Sequence, residues 1–241
     1  MTIVSIMQPY FFPYIGYFQL MFQSDISVFH DDVQYINGGW VNRNRILRNG
    51  LPCWLTLPVR NASSHLAINQ RYYRLDPTDV VRVLRRLAGA YQKAPQFAAV
   101  FPVVEELMNF DDKNVAVFNV NLLERLARRL AIRTQFVSSS TMIKNESLTG
   151  QERVIDICRR LGATRYVNPI GGARLYQPDR FAAAGVELNF LEPVTPAYPQ
   201  LGQLPVADLS IIDILMFNSG QSASRLLPLY RLQPHGLAST R

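Results

Sequence analysis

MTIVSIM (1–7), QPYFFPYIGYFQLMFQS (8–24) and ISVFH (26–30) decide the fold. The first and third segments are compact apolar runs closed by polar residues, the mark of short buried strands. Between them lie a Pro- and aromatic-rich turn and a helix expected over 15–24. Two such strands joined through a helix call for parallel pairing with a right-handed crossover. The segment 53–59 (CWLTLPV) reads as a third strand, and 66–75 (LAINQRYYRL) as an edge strand or hairpin arm. From Pro77 the hydrophobic period lengthens from two to about 3.6, with Val80, Val83, Leu84 and Leu87 on one face. Further helices are expected at 96–108 and 114–131. Strand and helix then alternate: strands at 134–138, 165–168 and 186–191, helices at 151–161 and 179–184, and a last helix at 210–217 stopped by Asn218-Ser219-Gly220. The expected fold is α/β, a mainly parallel sheet flanked by helices. It forms one domain over 1–230 with a helical insertion around 77–131, followed by a flexible tail at 231–241.

The 241 residues are 48% hydrophobic and 18% charged, ordinary for a globular chain, and no apolar run is long enough to span a membrane. Residues 1–7 lack the features of a signal peptide, so the chain is expected in the cytoplasm. Cys53 and Cys158 are too few for a disulfide framework and lack zinc-site spacing, so no metal and no tightly bound cofactor are expected. The net charge of +7 is carried mostly by arginine, which suits a small anionic ligand. The basic residues are dispersed and no nucleic-acid recognition motif is present, so nucleic acid is not an expected partner.

Ligands of open α/β sheets bind beyond the carboxyl ends of the strands. The loop after the first strand therefore supplies Gln8, Tyr10, Tyr14 and Gly16 as candidate substrate contacts, Gly16 by allowing an anion to approach the backbone. Phe11, Phe12 and Phe18 are read as core. The second strand ends in His30-Asp31-Asp32, an imidazole and two carboxylates at the same sheet edge. Asp32 is the preferred general base, His30 the alternative, and Asp31 a substrate contact; one of the acids could instead cap a turn, and His30 could be a core histidine. In Trp40-Val41-Asn42-Arg43-Asn44-Arg45, an extended backbone would put the amides on one side and the guanidinium groups on the other. Asn42 and Asn44 would support a developing oxyanion, and Trp40, Arg43 and Arg45 would hold substrate. A purely structural pairing of these arginines with Asp31 and Asp32 is the alternative. Asn168, Gly171 and Gly172 could expose polar groups to an anion, though paired glycines also mark plain turns. Asp213, in an apolar segment, needs partners and is a further candidate substrate contact, while Ser210 reads as a helix cap.

The runs QPYFFPYIGYFQL (8–20), DDVQY (31–35), WVNRNRI (40–46) and WLTLPV (54–59) resemble the WbqC-like protein family. Lys93-Ala94-Pro95, Ser138-Ser139-Ser140, YVNPIGG (166–172), Tyr198-Pro199-Gln200 and LSIIDILMFN (209–218) extend the resemblance to about Leu227. It implies association with surface-polysaccharide or specialised-metabolite pathways and transfer of an acyl or aminoacyl group to an amino sugar or similar amine. The donor would be an acyl or peptidyl carrier domain or a coenzyme A thioester. A fainter resemblance joins Tyr14-Ile15-Gly16-Tyr17 to the HxGH signature of nucleotidylyltransferases, and Ser138 to Thr141 to their serine motif. Both histidines are tyrosines here, so a Rossmann-like, nucleotidylyltransferase-like architecture is expected without that chemistry. The rival expectation is a binding protein that recognises a carrier domain or partner enzyme without catalysis.

Overall fold

The computed structural model describes residues 1–201 and 204–234. β1 (Ile3–Met7), α1 (Ile15–Gln23) and β2 (Ile26–Phe29) form the expected unit, with the strands parallel and Val4 opposite Ile26. The chain then leaves the sheet for an antiparallel hairpin, β3 (Arg43–Arg48) and β4 (Leu51–Thr56). Asn49 and Gly50 turn it with φ of 52° and 75°, the left-handed pair that a tight two-residue connection needs. Three helices follow: α2 (Pro77–Tyr91), α3 (Phe97–Met108) and α4 (Val115–Arg129). Asp76 caps α2 by accepting from the Asp79 amide, and Asn114 caps α4 by accepting from Ala116 and Val117. The remainder alternates: β5 (Gln135–Ser138), α5 (Gly150–Arg160), β6 (Arg165–Pro169), α6 (Pro178–Ala182), β7 (Glu187–Pro193), α7 (Ile211–Phe217), α8 (Gly220–Ser224) and β8 (Tyr230–Pro234).

Among the described residues, six strands form the main sheet in the order β5-β2-β1-β6-β7-β8, parallel except for β8. From β1 the chain moves outward through β2 to β5, then returns to the other side of β1 for β6 and β7. The order thus reverses between β1 and β6, which opens a crevice at their carboxyl ends. One face of the sheet packs Val4, Ile6, Val28, Tyr166 and Phe190 against Val154, Ile157 and Cys158 of α5 and Phe181 of α6. On α1, Leu20 packs with Val167 and Leu191. A larger cluster runs from Phe18 and Phe29 through Ile46 and Leu55 of the hairpin to Leu87, Leu107, Leu123 and Ile212. The helical region and the hairpin therefore share a cluster with α1 and with Phe29 of β2.

Three expectations need correction. Segment 66–75 is not a strand: it makes a 3-10 turn at Ile68–Gln70 and isolated bridges from Ala67, Tyr72 and Tyr73 to three different segments. The buried Arg71 organises it instead, donating to the carbonyls of Arg60, Ala62 and Ser63, so its side chain replaces a strand ladder. The strand expected over 53–59 is β4, which pairs with β3 outside the main sheet because hairpin closure at Asn49-Gly50 fixes its partner. The tail expected from 231 begins as strand: β8 hydrogen-bonds along the edge of β7, while 235–241 lie outside the described residues.

Candidate active site at the carboxyl edge of the sheet

The loop after β1 is held rigidly. Phe11, Phe12 and Phe18 are fully buried, as expected of core residues. The Tyr17 hydroxyl donates to the Gln8 carbonyl at 2.8 Å, and the buried Asn119 amide of α4 donates to the carbonyls of Pro9 and Val41 at 2.8 and 2.7 Å. Phe12 has φ +39°, uncommon for a bulky residue, and its carbonyl accepts from Ser210 Oγ at 2.8 Å. Tyr10 packs against Tyr17, and burial raises its phenol pKa. Burial, with Asp208 nearby, pushes Tyr14 up to about 12, so both phenols stay protonated at neutral pH. Gly16 is buried near the start of α1. A Cβ there would lie 2.5 Å from the Tyr14 ring and 2.6 Å from Pro193, so the missing side chain lets α1 pack closely.

The hairpin obeys the expected alternation. Asn44 is buried beneath it, donating to the Phe11 carbonyl at 3.3 Å, and Asn42 donates to the Leu57 carbonyl at 2.8 Å. Each amide commits one of its two N–H donors to a backbone carbonyl. Arg43 and Arg45 occupy the opposite face: Arg43 stacks 4.2 Å over Trp54 and donates to the Gly38 carbonyl, and Arg45 donates to the Asp208 carbonyl at 3.1 Å. Neither arginine bonds to Asp31 or Asp32, so the structural pairing considered for them is absent among the described contacts.

The two carboxylates instead meet residues from beyond β5. Asp31 accepts from the Ser140 amide at 2.9 Å and the Ser140 hydroxyl at 2.5 Å, and so fixes the turn that follows β5. Asp32 Oδ1 accepts from Ser139 Oγ at 2.7 Å, while Oδ2 receives both Lys144 Nζ at 2.6 Å and Arg153 at 2.5 Å. Burial acts to raise the Asp32 pKa, but the hydrogen bonds and charges of Lys144, Ser139 and Arg153 outweigh it, and the net shift is downward. His30 lies 4.0 Å from Asp32 Oδ1, and burial drops its pKa to about 4, leaving a neutral imidazole. His30 Nε2 and Arg153 Nε are both buried without a hydrogen-bond partner. Asp32 is therefore a poor proton acceptor and a good anchor for two cations. Lys144 and Arg153 escaped the sequence reading because each looks like any other basic residue until the fold brings it to Asp32.

At the crevice between β1 and β6, Asn168 is buried and accepts from the Tyr166 hydroxyl at 2.9 Å. A Cβ on Gly172 would fall 2.2 Å from Asn168 Nδ2, whereas one on Gly171 meets nothing within 4 Å. Gly172 thus makes room for Asn168, and Gly171 stands open. Asp213 is fully buried and accepts from Tyr91 at 2.9 Å, Tyr198 at 2.7 Å and Gln200 at 2.8 Å. Burial raises its pKa. Its helix meets the N-terminal loop, through the Ser210 hydroxyl and the Ile211 amide bonded to Phe12 and Pro13, but Asp213 shares no partner with Asp32. Ser210 caps α7, accepting from Ile212. Among the described residues, no group of three His, Cys, Asp or Glu could hold a metal ion, and no helix is long and apolar enough to cross a membrane.

This is an α/β protein of the doubly wound kind, with a polar cluster at the carboxyl edge of its sheet. The chain belongs to the WbqC-like protein family, whose model matches residues 8–225. It is similar to the "Uncharacterized protein Rv1507c" of Mycobacterium tuberculosis (strain ATCC 25618 / H37Rv), 29% identical over 225 residues, covering 91% of this chain and 95% of that protein. No solved structure matches.

Proposed function

We propose that this protein is a cytoplasmic transferase that moves an acyl or aminoacyl group from a thioester, on coenzyme A or a carrier domain, to the amine of a small phosphorylated or nucleotide-linked sugar. The supporting observation is the pair Lys144 and Arg153. The Lys144 side chain is only 2% exposed, and both cations converge on one carboxylate oxygen at the edge where such sheets bind ligands. Burying two cations costs several kcal/mol in desolvation, and that cost is accepted where charge has work to do. The unpartnered nitrogens of Arg153 and His30 add donor and acceptor capacity that a ligand would satisfy.

In this reading Lys144 and Arg153 hold the anionic part of the substrate, with Asp32 keeping them in place. The substrate amine attacks the thioester carbonyl carbon; the C–N bond forms, the C–S bond breaks, and the thiolate leaves. Neutral His30, whose Nε2 has no hydrogen-bond partner, takes the proton the amine loses, whereas both oxygens of Asp32 are already occupied by Ser139, Lys144 and Arg153. Thermal-shift titration with nucleotide sugars and coenzyme A thioesters tests the reading, run on the native protein and on Lys144→Met and Arg153→Gln. A raised melting temperature, lost in both variants, together with an amide product seen by mass spectrometry, is the expected outcome. No shift and no amide from any donor and acceptor pair would refute it.

A further inference from the structure

The sequence contains two tryptophans, Trp40 and Trp54, and the fold places them side by side in the open. Their rings lie 5.5 Å apart at 45°, and they are 40% and 41% exposed. Trp40 comes from the turn before β3 and Trp54 from β4. Arg43 stacks on Trp54 at 4.2 Å, and its Nε is buried without a partner. This is not a loose surface patch. The Trp40 carbonyl accepts from the Phe11 amide at 3.1 Å, and Asn44 of the same hairpin donates to the Phe11 carbonyl, so the hairpin stands on the loop at the carboxyl end of β1. Indoles exposed together on a braced element form a rigid π surface whose ordering cost has been met before any ligand arrives.

We infer that Trp40, Trp54 and Arg43 form a stacking platform for the base of a nucleotide-linked substrate, an inference that rests on the transferase reading above. The neighbouring side chains favour a base over a sugar ring. The cross-strand register puts Arg45 opposite Trp54 and Thr56 opposite Arg43, so this face of the hairpin carries cations and a hydroxyl but no carboxylate or amide. The adjacent amides of Asn42 and Asn44 donate to the carbonyls of Leu57 and Phe11. A pyranose needs acceptors for its hydroxyl protons. A nucleobase needs a flat face, supplied by the indoles, and donors for its carbonyl and ring-nitrogen acceptors, supplied by guanidinium.

Because both tryptophans sit on the platform, the indole emission of the native protein reports on this site alone. The test titrates the full chain with uridine diphosphate, adenosine diphosphate and glucosamine 1-phosphate, following indole emission and, in parallel, heats of binding. It is repeated on Trp54→Ala, Trp40→Phe and Lys144→Met. The expected result is that at least one nucleotide changes the emission and that its affinity falls about tenfold in Trp54→Ala, the loss of one stacking contact. Trp40→Phe keeps most of the affinity, and glucosamine 1-phosphate binds equally to native protein and Trp54→Ala. A nucleotide that releases heat without altering the emission, and binds Trp54→Ala as well as native protein, overturns the platform and leaves the transferase reading standing. Emission that responds to the sugar phosphate alone reassigns the platform to a sugar, and emission that changes with protein concentration alone reassigns it to self-association; either overturns the inference. Absence of binding by all three ligands removes both proposals together.

Discussion

Of three lysines, Lys93, Lys113 and Lys144, the last is sunk beside Asp32 in a chain that otherwise carries its positive charge on arginine. A buried ammonium whose counter-ion is removed has little to compensate its desolvation. Asp32→Asn is therefore expected to destabilise the fold by roughly 3 kcal/mol, and adding Lys144→Met should recover part of the loss, since it removes the more deeply buried of the two stranded cations and leaves only Arg153 without its counter-ion. Urea unfolding of the single and double variants checks this; a double variant no more stable than Asp32→Asn would mean that the ion pair is not what holds the site. His30 gives a separate signature in pH. Its pKa falls from 6.5 to about 4 on folding, so between those values the unfolded chain binds more protons than the native one. Stability is fully present above 6.5 and drains away as pH falls toward 4, by up to about 3 kcal/mol. His30→Gln should flatten the stability curve across that window, and a slope unchanged by the substitution would assign the loss to other groups. The sequence brought His30, Asp31 and Asp32 to one edge because they end one strand. It could not bring Ser139 or Arg153 to Asp32, 107 and 121 residues away, because that meeting depends on β5 pairing with β2.

At the scale of elements, backbone geometry separates residues that composition treats alike. Gly171 and Gly172 look equivalent as a glycine pair, yet only Gly172 faces Asn168. Gly172→Ala must displace the Asn168 amide and with it the hydrogen bond from Tyr166, at an expected cost of about 1–3 kcal/mol. Gly171→Ala should stay within about 0.5 kcal/mol of the native protein. Chemical denaturation of the two variants decides the matter, and equal losses would show that the turn itself, not the contact with Asn168, demands glycine. Asn119 is a second case. It falls within the helix expected over 114–131, but it is fully buried, accepts from Tyr73 at 2.9 Å and donates to two carbonyls. Asn119→Leu would strand those partners and is expected to cost about 2–3 kcal/mol. Periodicity made the parallel strands of the main sheet and the long helices legible, because burial on one face leaves a repeat in the sequence, whereas β8 at the sheet edge went unread. Segment 66–75 misled because Ala67, Tyr72 and Tyr73 bridge to three separate segments, so its pattern never belonged to one ladder. The amides Asn42 and Asn44 misled for a related reason: alternation placed them on one side, but which carbonyls waited there depended on the loop after β1.

The whole molecule sets how an anion reaches the site. Charges near Asp32 almost cancel, since Lys144 and Arg153 share its carboxylate and Asp31 lies beside them, bonded to Ser140. The long-range attraction must then come from the net charge of +7, spread over exposed groups such as Arg85 and Arg86 on α2. Spread-out charge of this kind raises encounter rates and is screened by salt, whereas partly buried contacts are screened far less. For a nucleoside diphosphate, raising the ionic strength from about 0.01 to about 0.15 M, which shortens the screening length from roughly 30 to roughly 8 Å, should therefore slow association several-fold and leave dissociation nearly constant. Arg85→Glu with Arg86→Glu should mimic the salt effect on association and blunt any further response to salt, without touching the residues around Asp32. Stopped-flow traces of indole emission separate the two rates. If salt instead speeds dissociation while association holds steady, the attraction resides in exposed contacts at the ligand itself, and the dispersed arginines act on solubility alone.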